Sequence, residues 1–104
     1  MYELWPDGVP PDRLEREMAA TQQEFEHGLN LGVPGNWIAT AEDHYRILQD
    51  GVQLDITILS RSERRIGALT LPLLSVAYAF SAGSPQQRRR LLTRLDRAMQ
   101  RGGG

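Results

Sequence analysis

Asp50-Gly51 stands between two runs in which apolar and polar residues alternate, Tyr45 to Gln49 and Val52 to Ile58. A two-residue type I′ connection needs positive φ at both central positions, which Asp-Gly tolerates. The pair therefore predicts an antiparallel hairpin and fixes its register: Gln49 faces Val52, Ile47 faces Leu54 and Tyr45 faces Ile56. With Ile58, these residues share one side of the pleat and form a candidate core face. On the other side Arg46 falls opposite Asp55, an opposite-charge pair that the same register favours.

The flanking segments extend this hairpin into a sheet with helices on either side. Asp12 and Glu15 have the spacing of a capping box, and Pro10 and Pro11 bar a helix from reaching further back. Leu14, Met18, Thr21, Gln22 and Phe25 then recur at helical spacing, and Gly28 reads as a stop after His27. The segment from Gly32 to Gly35 is loop chemistry, and Trp37 to Ala41 reads as a strand joined to the hairpin through Glu42 and Asp43.

Ser60 to Arg65 is polar and reads as a turn. Ile66 to Gly83 carries no charge, a pattern shared with membrane spans. Pro72 interrupts the run, however, and it falls short of the about 20 apolar residues a helical span needs. After Pro72, the large residues Leu74, Val76, Tyr78 and Phe80 alternate with small ones, so two buried strands account for it better. Ser84 and Gln87 form a second capping-box pair, with Pro85 suited to the first helical position. Leu91, Leu92, Leu95 and Met99 give the final helix its apolar stripe, and Gly102 to Gly104 reads as its end and a disordered tail.

These elements predict an α+β fold: an N-terminal helix, an antiparallel β-meander of four or five strands, and a C-terminal helix, both helices covering one sheet face. At 104 residues the chain is read as a single domain, 1–104, with an irregular start over 1–11 and a tail over 102–104. Leu74 to Phe80 on one sheet side and Tyr45 to Ile56 on another would exceed what two helices can cover. A homodimer is the expected remedy.

Little in the sequence points to chemistry. The absence of cysteine removes disulfides, thiolate catalysis and sulfur-based zinc sites. All 12 basic residues are arginine, so no lysine is present to form a Schiff base. The two histidines, His27 and His44, belong to no metal pattern. Asp43, His44 and Tyr45 with a serine make a triad only on paper, and no nucleophile elbow or phosphate-binding glycine loop exists. No catalytic, cofactor-binding or metal-binding residue is assigned. An N-terminus without a basic start and apolar run makes the cytoplasm the default compartment.

One pattern remains. Residues 1–50 carry three basic and ten acidic side chains, whereas residues 51–104 carry nine and three. In the final helix Arg90, Arg94, Arg97 and Arg101 are spaced 4, 3 and 4, which places them in one stripe opposite the leucines. Such a stripe suits a protein partner, a polyanion such as nucleic acid, or the acidic first helix bearing Glu15, Glu17, Glu24 and Glu26, either in the same chain or in a partner subunit. The near cancellation of the two halves favours pairing with those glutamates. The leading expectation is a small non-enzymatic protein–protein interaction module, homodimeric. Nucleic-acid binding through the arginine helix is the alternative, and a small enzyme comes third.

Overall fold

The computed structural model describes residues 12–103, so the expectations for residues 1–11 and for Gly104 lie outside the described residues. In chain order the elements are β1 (Arg13–Met18), α1 (Gln22–Gly32), β2 (Trp37–Ala41), β3 (His44–Gln49), β4 (Val52–Ile66), β5 (Leu69–Ala82) and α2 (Pro85–Gly103). The five strands form one antiparallel sheet in the order β1-β5-β4-β3-β2. The fold is α+β, with a four-strand meander from β2 to β5 and β1 added along its β5 edge.

The hairpin register is the expected one. Gln49, Ile47, Arg46 and Tyr45 pair with Val52, Leu54, Asp55 and Ile56. Asp50 and Gly51 have φ of 51° and 80°, as a type I′ turn requires. Arg46 Nε lies 2.8 Å from Asp55 Oδ1. The β2 strand and its connection through Glu42 and Asp43 also stand where the sequence places them.

The helix expected from Asp12 is a strand followed by a shorter helix. A second box, Thr21-x-x-Glu24, forms instead: Glu24 N donates to Thr21 Oγ1 at 3.1 Å, and Thr21 N donates to Glu24 Oε1 at 2.8 Å. Upstream of it Leu14, Arg16 and Met18 alternate with exposed Arg13, Glu15 and Glu17, a period of two that lets β1 supply the ladder partner of β5. Two D/T-x-x-E signals compete within a few residues, and tertiary pairing selects the later one. Gly28 is not a stop, because α1 runs through it to Gly32. Both glycines face α2. A methyl at Gly32 would sit 3.0 Å from Ala98 Cβ, and one at Gly28 would collide with Met99 Sδ. They are glycine so that the two antiparallel helices can approach closely.

Ser60 to Arg65 is not a turn. β4 continues through it to Ile66, and the connection is Gly67-Ala68, with Gly67 at φ 59°. Ile66 to Gly83 is accordingly the end of β4, that turn and a single long strand, not two buried strands. β3 accompanies β4 only to Thr57, and β1 accompanies β5 only to Leu74. Beyond those points the two strands run on as an unsupported ribbon, the arm. A strand outside the core needs no apolar alternation of its own, which is why its polar sequence reads as a turn.

The large residues of β5 and those of the hairpin occupy the same sheet face, not opposite ones. Tyr45, Ile47, Leu54, Ile56, Leu74, Val76, Tyr78 and Phe80 are all buried beneath Phe25, Leu29, Leu91, Leu92 and Leu95 of the two helices. The excess apolar surface that motivated a dimer is therefore absent from this pair of segments. The α2 cap forms between Ser84 and Gln87 as expected, and the helix continues to Gly103, past the expected end at Gly102.

Candidate partner-binding site

The apolar stripe of α2 fixes where its arginines go. With Leu91, Leu92, Leu95 and Ala98 buried against the sheet and α1, the remaining side of the helix turns outward and carries Arg90, Arg94 and Arg97, all exposed. Helical rise places successive members about 6 and 4.5 Å apart along the axis. The backbone of Arg101 continues the helix; its side chain lies outside the described residues.

The three guanidinium groups edge a groove. One hollow of about 210 Å³ is lined by Gln49, Asp50, Gln87, Arg90, Leu91 and Arg94. A neighbouring hollow of about 450 Å³ lies among Leu31, Gly32, Pro34, Asn36, Gln49, Arg94, Arg97 and Ala98. Gln49 and Arg94 are common to both. The wall facing α2 comes from the hairpin turn and the loop after α1, and it is held by its own amides. Asn36 Nδ2 donates to Gln49 Oε1 at 2.5 Å, and Gln49 Nε2 donates to Asp50 Oδ2 at 3.1 Å. The hairpin register sets the Gln49 part of this wall, since it puts Gln49 beside Val52 at the rim of the core, and the loop after α1 adds Asn36.

The cations of α2 divide into two groups. Arg88 lies in the first turns of the helix, where a positive charge opposes the macrodipole. It is compensated by Asp12 Oδ1 at 2.7 Å and by the Phe80 ring, whose centroid is 5.3 Å away. Among the described residues, Arg90, Arg94 and Arg97 have no carboxylate, amide or ring partner. The pairing expected with the glutamates of the first helix does not form within the chain among the described side chains. Glu15 and Glu17 lie on β1, where Glu15 takes Arg13; Glu24 caps α1; Glu26 accepts from the Tyr45 hydroxyl at 2.6 Å. The link from β1 to α2 is instead Arg16 with Asp96, at 3.4 Å. Arg94 and Arg97 do stand beside the C-terminal end of α1, whose partial negative charge favours cations by about 0.3–1 kcal/mol each.

A second polar cluster joins the base of the arm to the core rim. Tyr45 Oη donates to Glu26 and accepts from Gln22 Nε2 at 2.8 Å, while Arg61 donates to Gln22 Oε1 and to Asp43. Burial and the Glu26 contact push the Tyr45 hydroxyl up to about 12. Each group here is engaged by another, so the cluster anchors Arg61 and the arm to α1 and leaves no free acid or base. His44 Nδ1 lies 3.2 Å from Thr57 Oγ1 on the open sheet face, and His27 is on α1. Among the described residues no group of three or more histidine, aspartate or glutamate side chains could hold a metal ion, and no helix is long and apolar enough to cross a membrane.

Comparison with protein-family models, with curated proteins and with solved structures gave no match to this chain.

Proposed function

We propose that the chain is a non-enzymatic interaction module that receives an extended acidic segment of a partner protein in the groove beside α2. The observation that carries this reading is the row Arg90, Arg94 and Arg97, exposed beside a shaped groove and without an acidic partner among the described residues. Three cations at such spacing repel one another, and a carboxylate-bearing ligand relieves that repulsion while forming charge-assisted hydrogen bonds. In an extended peptide, side chains at alternate positions recur about every 6.7 Å on one face, close to the Arg90–Arg94 interval. Segments with an acidic residue at every second position fit best.

The same row favours nucleic acid as a second reading. Two features weigh against it. Among the described residues no aromatic side chain lines the groove for a base to stack on, and stacking supplies much of single-strand affinity. The chain also carries a net charge of −1, which opposes approach to a polyanion outside this patch.

Anisotropy titrations at about 150 mM salt decide between them. A labelled peptide alternating Glu and Ala is compared with its Gln-Ala counterpart and with single-stranded DNA of equal charge. The alternating acidic peptide should bind best, and Arg90→Gln with Arg94→Gln should weaken it about tenfold. Tighter binding of the DNA establishes the second reading. Equal binding of the acidic and neutral peptides, with the DNA binding no tighter than either, excludes both.

A further inference from the structure

The open face of the sheet points to a second copy of this chain, which we propose docks by exchanging arms across a twofold axis. The proposal is independent of the α2 groove, which lies on the helix side.

Paired residues in an antiparallel ladder share a face, so the register lays out the open side of β4 and β5 row by row. From the body to the tip the rows are Asp55–Ala79, Thr57–Ala77, Ser60–Ser75, Ser62–Leu73, Arg64–Leu71 and Ile66–Leu69. The body half bears small residues on β5 and the arm half bears leucines. Leu59, the extra residue of the bulge between Ile58 and Ser60, is 44% exposed, Ile66 53% and Leu69 63%. A two-stranded ribbon is marginal in water by itself, and this one holds its apolar side away from the helices that bury the rest of the sheet.

A twofold axis perpendicular to the strands through the Ser60–Ser75 row makes this face complementary to itself. Leu73 then lies over Ala77 of the other copy and Leu71 over Ala79, large against small. Ser62 meets Thr57, hydroxyl against hydroxyl. Arg64, which has no carboxylate partner among the described residues of its own chain, comes over Asp55, whose Oδ2 is left free by the Arg46 contact to Oδ1. Leu59 meets its own copy at the axis. The two strands that overlap across the axis present about 400 Å² in projection from strand spacing and rise. Accessible area exceeds projected area, so the overlap approaches the low end of specific interfaces, about 600 Å² per partner.

The chain has no cysteine, which allows a direct test. Leu71→Cys with Ala79→Cys places two thiols on one strand about 27 Å apart, beyond the reach of an intrachain disulfide. Arm exchange predicts a covalent dimer under mild oxidation, and Ser60→Cys alone, on the axis, should also cross-link. Arg65→Cys, on the helix side of the arm, should not. The unmodified protein should sediment as a dimer at about 50 micromolar and Leu71→Asp as a monomer with its helical signal intact. A monomeric wild type, or a dimer that survives Leu71→Asp, overturns the proposal. A monomer that floats with phosphatidylglycerol vesicles through Ile66 and Leu69 would overturn it in favour of a lipid surface.

Discussion

Two core tyrosines show how the same side chain is settled differently by its partners. Tyr45 donates to Glu26 and accepts from Gln22, whereas the buried Tyr78 hydroxyl finds no hydrogen-bond partner among the described residues. An unsatisfied buried hydroxyl costs free energy and a paired one contributes it. Tyr78→Phe should therefore leave stability unchanged or raise it by up to about 1 kcal/mol, and Tyr45→Phe should lower it by about 1–2 kcal/mol. Urea unfolding of the two variants checks the order. Burial also pushes both hydroxyls above the ordinary value of 10, Tyr45 to about 12. The folded chain thus holds these protons more tightly than the unfolded chain. Their contribution is fully present below pH 10 and is lost as pH rises from 10 through the folded values. Neither cysteine nor lysine is present to titrate in that interval. Unfolding measured on either side of pH 10 should show lower stability on the alkaline side, and equal stability there would contradict the assignment.

At the scale of elements, local signals succeed where one face must be buried and fail where tertiary pairing decides. Asp50-Gly51 specifies its hairpin because turn chemistry and the alternation of Tyr45, Ile47, Leu54 and Ile56 agree. Arg13 to Met18 carries both a capping spacing and a period of two, and only the unpaired edge of β5 makes it a strand. The arm is illegible because Ser62 to Ile66 packs on no core, so its register comes entirely from Leu69 to Leu73 across the ladder. Gly28 and Gly32 read as helix breakers in sequence and act as contact points in space. Gly32→Val should cost about 1–3 kcal/mol by overpacking against Ala98, and Ala98→Gly in the same chain should recover part of it. Thermal unfolding of the single and double variants measures that coupling.

For the whole molecule, the sequence reveals a charge asymmetry but not how it is distributed in space. The arginine stripe of α2 is legible from its 4, 3 spacing, since any helix buried through Leu91, Leu92 and Leu95 must turn those residues outward. Its opposing wall is not. Asn36, Gln49 and Asp50 reach the groove only because the hairpin turn and the loop after α1 converge beside α2. Among the described residues Asp50 is the one carboxylate that lines the groove, and the other acids lie away from it, on β1, the α1 cap and the Tyr45 cluster among other places, which leaves three arginines against one acid there on a chain of net charge −1. The most direct test is an amide and side-chain NMR map of the protein titrated with the alternating Glu-Ala peptide. The groove reading predicts saturating shifts at Arg90, Arg94, Arg97, Asn36 and Gln49, with the arm residues Ile66 to Leu73 unmoved. Shifts confined to the arm and open sheet face, or none at all, would contradict it.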